Sequence, residues 1–280
     1  MRSSALSRYT IRFIALGYLA LVLVLPLSVI FFRTFQDGLG PVIDSLTDPL
    51  FLHALRLTLI AVAIAVPLNT VFGVICALAL VRRDSTRGSW FFNSAIGLPL
   101  ALSPIVVGLS LILVYGQQGW LGSWLLDNGI QVIFSTPGIV LATVFVTLPF
   151  VVREVMPVLR EIGTDQEEAA WTLGASRWQT FWRITLPAIR WGVAYGVVLT
   201  TARALGEYGA VAVVSGRLAG KTETLTMHVN EEYLRFNEVA AYTTSMVLAL
   251  LAVLTLIAMN VFKPSEHKEA VRGDSSPAGD

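Results

Sequence analysis

The sequence predicts an all-α polytopic membrane protein with six transmembrane helices. Of its 280 residues, 55% are hydrophobic and only 14% are charged, and the mean hydropathy is +0.68. Soluble domains carry roughly 25% charged residues, so this chain cannot cover a water-facing surface and must expose apolar side chains to lipid. The composition excludes a soluble enzyme and a disordered scaffold. The net charge of +1 gives no basic field for nucleic acid.

Six apolar stretches are long enough to cross a bilayer, which takes about 20 mostly apolar residues each. Each stretch is continuous and does not alternate over ten-residue segments, so the spans are predicted to be helices and not barrel strands. The first is expected to be a retained helix, because its apolar run is too long for the core of a cleaved signal peptide. The predicted spans cover residues 13–32, 57–81, 90–115, 136–152, 191–214 and 240–262.

Proline and glycine interrupt several of these spans. Proline kinks a helix and frees a carbonyl group, whereas small residues let two backbones approach closely. We interpret each of these sites, taken singly, as ordinary packing of membrane helices. The residues concerned are Pro67, Gly73, Pro99, Pro104, Pro149, Gly192 and Gly196.

The distribution of positive charge predicts the orientation of the spans. Cytoplasmic loops of membrane proteins carry an excess of lysine and arginine. With the amino terminus in the cytoplasm, most of the 20 Lys and Arg residues fall in cytoplasmic segments, and the outer loop 116–134 has none. Both termini are therefore predicted to be cytoplasmic. The transmembrane domain is predicted to cover 1–262, and a polar tail over 263–280 is predicted to be disordered.

The longest segment between spans lies on the predicted cytoplasmic side, at about 153–190. Thr164 and Glu167 have the spacing of a capping box, so a short helix is predicted to follow and to stop at Gly174. A second capping box over 176–179 predicts another short helix. This helix is expected to end before Pro187, which leads into the fifth span.

A row of three residues on the first of these helices has the character of a docking surface. Glu168 is followed by Ala169 and Ala170, which place two small side chains beside a carboxylate. Together with the residues downstream, this row resembles the EAA signature of ABC importer permeases. The residues that carry the resemblance are Glu168, Ala169, Ala170, Gly174, Ile184, Leu186 and Pro187.

The sequence also resembles the W-type subunit of sulfate/thiosulfate permeases, and this resemblance runs from about residue 10 to 262. It includes segments 190–192, 195–200, 202–211 and 213–216, together with 44–49 and 149–154. Molybdate permeases share the pattern of 202–209, so that piece alone indicates only an oxyanion as substrate. The resemblance implies the fold of the molybdate and methionine permeases and a location in the bacterial inner membrane.

The resemblance implies a permease half that works with other subunits. The signature would form a coupling helix inserted into a cleft of a cytoplasmic ATPase subunit. The implied partners are a T-type permease chain, two ATPase subunits and an external sulfate-binding protein, in a lipid bilayer and without nucleic acid. ATP and Mg would be used by the ATPase subunits, so no cofactor is expected on this chain.

Other interpretations remain open from the sequence. A molybdate or tungstate permease would normally be a homodimer. A secondary transporter driven by an ion gradient needs ionisable groups near the midplane, often in inverted repeats, and the sequence shows no internal repeat. A structural membrane anchor would leave the signature segment unexplained.

Arg203 and Glu207 are the only charged residues within the predicted spans. They lie at i and i+4, so on a continuous helix they share one face and can form an ion pair. Because charges inside a membrane normally face protein or a cavity, the pair is predicted to line the outer gate of the oxyanion pathway. A purely structural ion pair is the alternative. Gly206 and Gly209 would let the helix bend or pack closely there.

No catalytic residue and no metal ligand is predicted. The segment 215–222 is similar to a P-loop but lacks its first glycine. Cys76 is expected to be a small buried apolar residue. An aromatic and apolar stripe over 120–126 is expected to lie on the membrane surface, and 231–235 carries charges that face either solvent or a binding protein. The histidines lack metal-ligand spacing; they are His53, His228 and His267.

Overall fold

Helices make up the regular structure of the residues that the computed structural model describes, 5–82 and 89–261. The prediction of an all-α fold is confirmed for these residues. Single π-helical turns, Ala20–Val24 and Phe181–Thr185, each lie between two helices. The α-helices are α1 (Ala5–Leu19), α2 (Leu25–Phe35), α3 (Leu39–Thr47), α4 (Pro49–Arg82), α5 (Ser89–Ala101), α6 (Pro104–Tyr115), α7 (Gly122–Asp127), α8 (Thr136–Ile162), α9 (Asp165–Thr172), α10 (Arg177–Thr180), α11 (Leu186–Leu205), α12 (Gly209–Ser215), α13 (Leu225–Leu234) and α14 (Glu238–Val261).

Five helical segments in this part of the chain are long and apolar enough to cross a membrane. The broken pair Ser94–Ala101 and Pro104–Tyr115 makes a sixth if the two helices together form one span. The polytopic fold is therefore confirmed, and the sixth span depends on this broken pair. The five continuous segments are Arg12–Phe35, Pro49–Arg82, Thr136–Ile162, Arg177–Leu205 and Glu238–Ala258. The predicted tail, 263–280, lies outside the described residues.

The third predicted span is not one continuous helix. α5 ends at Ala101, and α6 begins at Pro104. Proline has no N–H to donate to the preceding turn, and it restricts the residue before it to extended conformations. Pro104 is therefore favoured as the first residue of a helix and disfavoured within one. The prediction of an unbroken helix over 90–115 is wrong at this point.

The fifth predicted span is also interrupted. α11 ends at Leu205 and a separate helix, α12, follows, whereas the sequence predicts one helix over 191–214. Gly206 is a poor helix residue. The next residue, Glu207, uses its Oε1 to accept a hydrogen bond from the Ala210 N–H at 2.9 Å. This bond satisfies a donor that the first turn of a new helix would otherwise leave open.

The described chain packs as two compact units, of which the first contains 5–63, 104–143 and 205–251. Close packing of α6 against α12 is the main feature of this unit. A Cβ atom added to Gly108 would lie 2.7 Å from Val213 Cβ and 2.8 Å from the Ala210 carbonyl oxygen. Glycine at this position therefore lets the two helices approach each other.

The second unit contains 64–82, 89–103, 144–204 and 252–261. Its core joins α4, α8 and α11, where Gly73 and Gly196 both contact Val151. A Cβ atom at Gly73 would lie 2.7 Å from Val151 Cβ, and one at Gly196 would lie 2.9 Å from Val151 Cα. The predicted packing role of these glycines is confirmed. The buried residues of the core are Val74, Ala77, Leu80, Val151, Val152, Val155, Met156, Leu159 and Ile189.

Candidate functional site

The loop that carries the signature residues forms a helix, a turn and a second helix. α9 ends in a turn at Gly174, whose φ of +87° lies in the left-handed region that favours glycine. The Gly174 N–H donates to the Trp171 carbonyl at 3.0 Å, and the Ala175 N–H donates to the Ala170 carbonyl at 3.0 Å. These two bonds form a Schellman motif. The prediction that this helix stops at Gly174 is confirmed.

The two predicted capping boxes have different outcomes. At the second, Ser176 Oγ accepts from the Gln179 N–H at 3.3 Å, and Gln179 Oε1 accepts from the Ser176 N–H at 2.9 Å, so this box is confirmed. The first is wrong, because the Thr164 side chain makes no capping bond and instead donates to Glu168 Oε1 at 2.7 Å. Glu167 does not reach back to Thr164, since its carboxylate is turned inward.

Glu167 is a buried residue of the loop that sequence reasoning missed. Its Oε1 accepts from Arg82 Nη2 at 2.8 Å and from Thr185 Oγ1 at 2.8 Å. The side chains of Arg82 and Glu167 are 20% and 9% exposed. Helical spacing offered one signal, because Glu167 and Ala170 lie at i and i+3 and both face inward. No local pattern points to Arg82, which lies far away in the sequence.

The outward side of the loop is rich in aromatic and apolar residues. Glu168 and Ala169 are exposed, as predicted for docking, but Ala170 is only 9% exposed. The prediction that both alanines form the docking surface is therefore wrong for Ala170, which lies on the inner face of α9. Leu173 is 88% exposed and Trp178 is 69% exposed. We define the loop surface as the exposed residues Glu168, Ala169, Trp171, Leu173, Trp178 and Trp182.

The second half of the signature contributes to packing as well as to the surface. Leu186 packs against the core of the second unit, Ile184 is half-buried, and Pro187 is exposed. The prediction that the second short helix ends before Pro187 is wrong. The helix continues through the π-helical turn Phe181–Thr185, where the Leu186 N–H donates to the Phe181 carbonyl. This wider turn accommodates a proline that cannot donate to the preceding turn.

Arg203 and Glu207 do not belong to one helix. Arg203 is half-buried in the last turn of α11, and Glu207 is 3% exposed beyond its end. The prediction that both lie on one continuous helix is wrong, because α11 ends at Leu205. Gly206 is exposed, and Gly209 begins α12. A role of these residues in a gate stays a prediction.

The break between α11 and α12 is tied to α13 within the first unit. Thr226 Oγ1 donates to the Glu207 carbonyl oxygen at 2.8 Å. The Tyr208 hydroxyl donates to Asn230 Oδ1 at 3.1 Å. Together with the bond from Glu207 to the Ala210 N–H, these contacts fix the backbone where the regular helix stops.

The remaining sequence candidates make contacts that do not involve the loop residues. The P-loop-like segment 215–222 closes on itself, since Thr222 Oγ1 donates to the Ser215 carbonyl at 2.6 Å. His53 contacts the Lys221 carbonyl, whereas His228 contacts Glu223 at 2.9 Å. Cys76 is half-buried. Within the described ranges, no group of three or more His, Cys, Asp or Glu residues could hold a metal ion.

Comparison with known proteins agrees with this architecture. Residues 69–267 match the profile of a family described as binding-protein-dependent transport system inner membrane component. The chain is 51% identical over 265 residues to the sulfate transport system permease protein CysW of Synechocystis sp., covering 94% of this chain and 96% of that protein. It is 35% identical over 255 residues to the probable sulfate transport system permease protein cysT of Nephroselmis olivacea, covering 91% and 89%.

A solved structure shares the fold. A chain in the crystal structure of a bacterial alginate ABC transporter, in complex with an alginate pentasaccharide-bound periplasmic protein, superimposes with a TM-score of 0.73. The match covers 93% of this chain and 94% of that chain at 17% sequence identity. At this identity the likeness shows the fold alone.

Proposed function

Because the chain belongs to the family of binding-protein-dependent transport system inner membrane components, we propose that it is the W-type permease subunit of an ATP-driven sulfate or thiosulfate importer. Support for the substrate comes from the Synechocystis relative, whose name is that of a sulfate permease and which is 51% identical over nearly its whole length. The chain is a membrane component of a transport system and not an enzyme. It moves an oxyanion and makes or breaks no covalent bond.

The proposed complex contains a second permease subunit of the T type, two ATPase subunits and an external sulfate-binding protein. The 35% identity to a probable cysT protein supports a pair of related permease chains. ATP and Mg are used by the ATPase subunits, so this chain needs no bound cofactor. The chain lies in a bacterial inner membrane with both termini on the cytoplasmic side. The excess of Lys and Arg in the segments on the cytoplasmic side supports this orientation.

The single observation that carries the coupling role is the exposed loop surface. Leu173 and Trp178 project from the loop with 88% and 69% of their surface exposed. They flank the turn at Gly174, whose two hydrogen bonds close the C-terminal end of α9. A cluster of exposed apolar residues on the water side of a membrane protein marks a surface that binds a partner. We assign this surface to the ATPase subunit.

Co-purification tests the proposal directly. A tagged chain is expressed with a T-type permease chain and the ATPase subunit, and the complex is then mixed with the external binding protein. We expect the ATPase to co-purify and its hydrolysis of ATP to rise when the binding protein carries sulfate. A chain that binds no ATPase subunit contradicts the proposal. Stimulation by molybdate and not by sulfate would assign the chain to the molybdate or tungstate permeases.

A matched variant tests the loop surface itself. Trp178→Ala removes an exposed ring from the loop, whereas Trp120→Ala removes an exposed ring from the outer loop. We expect the first variant to weaken ATPase binding and the second to leave it unchanged. Equal binding by both variants would remove the loop surface from the interface.

A further inference from the structure

Two adjacent glutamates of α9 lie in opposite surroundings. Glu168 is exposed, and its Oε1 accepts a hydrogen bond from the Thr164 hydroxyl at 2.7 Å. Glu167 is only 7% exposed and contacts the interior of the second unit. The function proposed for the loop uses the exposed glutamate and leaves the buried one without a role.

One oxygen of the Glu167 carboxylate joins three separate segments of the chain. It accepts from Arg82 Nη2 and from Thr185 Oγ1, both at 2.8 Å. Arg82 is the last residue of α4, and Thr185 is the last residue of the π-helical turn before α11. Both residues lie in helical segments that are long and apolar enough to cross the membrane. The carboxylate therefore connects the loop helix to two membrane-spanning segments.

α9 has few other side-chain attachments to the protein interior. Of its 8 residues, Glu167 and Ala170 are the buried ones, and Ala170 contributes a single methyl group. Because the ion pair between Arg82 and Glu167 is mostly buried, salt screens it less than a surface pair. Separating the two would leave a buried charge without its partner, which is strongly unfavourable. The pair therefore resists sliding of α9 past α4.

We propose that Glu167, Arg82 and Thr185 form a latch through which movement of α9 is transmitted to α4 and α11. The proposal rests on the function given above, in which an ATPase subunit binds the loop surface. When the ATPase moves α9, the latch carries the ends of both membrane segments with it. Without the latch, α9 follows the ATPase while α4 lags behind, and α11 is coupled to the loop only through the continuous backbone of Arg177–Leu205. Glu167 acts in this way as a positioning residue.

The principal test compares Glu167→Gln with Glu161→Gln in the complete complex, reconstituted in liposomes. Gln keeps the shape and an acceptor oxygen but removes the charge that holds Arg82. Glu161 is exposed in the last turn of α8, so the control removes the same charge nearby. We expect Glu167→Gln to bind the ATPase normally and to transport about tenfold less sulfate per ATP, since a buried charge that has lost its partner is strongly unfavourable. Glu161→Gln should keep the wild-type ratio.

A double-mutant cycle tests whether the contacts act as one unit. Substitutions within one hydrogen-bonded network are not additive. The Arg82→Gln, Glu167→Gln double variant should therefore lose no more transport per ATP than Arg82→Gln alone. Thr185→Val, which removes only the hydroxyl, should give a smaller loss. Independent, additive losses at Arg82 and Glu167 would overturn the latch.

Hydrogen exchange measures the attachment of α9 without the ATPase. In the purified permease pair, amides over 165–172 should exchange faster in Glu167→Gln than in Glu161→Gln, because local opening sets the exchange rate. Equal exchange, an unchanged transport-to-ATP ratio, or loss of ATPase binding in Glu167→Gln would each overturn the proposal. If the wild-type chain binds no ATPase, the proposed function fails, yet this exchange measurement still decides whether the attachment exists.

Discussion

Three physical requirements explain single residues of this chain: backbone conformation, close approach of two helices, and stabilisation of a buried charge. Gly174 meets the first, since its φ of +87° is one that other residues rarely adopt. Gly196 meets the second, because a Cβ atom there would lie 2.9 Å from the Cα of Val151. The side chain of Glu167 adds a third case, in which a charge is stabilised inside the protein by Arg82 and Thr185.

Gly174→Val should impair coupling while the subunit still inserts. A branched side chain in the left-handed region costs about 1–3 kcal/mol, which should shift the turn and displace α9. Sulfate uptake and ATPase binding are measured at equal membrane expression. Gly129→Val is the control, since Gly129, which lies between α7 and α8, has a φ of +74° and open space around it. Normal uptake by a Glu168→Lys, Gly174→Val double variant would contradict the coupling assignment.

Gly196→Ala should destabilise the second unit. The new methyl group would press on the Val151 backbone, which cannot move aside as a flexible side chain can, and overpacking costs typically about 1–3 kcal/mol. Gly17→Ala provides the comparison, since nothing lies within 4 Å of a Cβ there. Thermal unfolding in detergent should show a lower midpoint for Gly196→Ala only. Equal unfolding midpoints for the two variants would contradict the close packing of α11 against α8 at Gly196.

Elements of the fold differ in how far the sequence could predict them. The turn at Gly174 and the capping box at Ser176 depend on residues within one turn of each other, and both were predicted. Hydropathy over about 20 residues averages out a short interruption, so the helix breaks before Pro104 and after Leu205 were missed. The bond from Arg82 to Glu167 joins distant parts of the chain, and no local pattern encodes it.

The inner and outer faces of α9 give a prediction for cross-linking. Cysteine at the exposed position of Ala169 should cross-link to the ATPase subunit, whereas cysteine at Ala170 should react poorly because that position is buried. Both are introduced into a chain in which Cys76, its only cysteine, is replaced by serine. Equal cross-linking at both positions, or none at Ala169 in any nucleotide state, would contradict docking through this face.

Glu207, which lies at the break between α11 and α12, has two possible roles: its oxygen caps α12, or its charge acts in the gate. Glu207→Gln keeps the acceptor oxygen for the Ala210 N–H but removes the charge. If the residue only caps α12, this variant should transport normally. We predict altered uptake or uncoupled ATP hydrolysis for Glu207→Gln, and loss of uptake for Arg203→Ala, measured at equal expression. Wild-type transport by both variants would exclude these residues from the gate.

At the scale of the whole molecule, the chain leaves large apolar surfaces uncovered. No part of the most apolar window of Arg12–Phe35 is buried within the chain, and exposed leucine, valine and phenylalanine side chains continue along it. Lipid and the proposed second permease subunit are the partners that can cover such a surface. The sequence predicted this membrane-exposed character from composition alone, whereas the two compact units depend on packing that composition does not show.

In the proposed function, this chain conducts sulfate inward only when ATPase subunits act on it. The most direct test is uptake of radiolabelled sulfate by liposomes that contain the complete complex, with binding protein outside and ATP enclosed. Uptake should need both ATP and binding protein, and it should stop when the ATPase is inactivated. Uptake driven by an ion gradient in the absence of ATP would contradict the proposed function and would identify the chain as a secondary transporter.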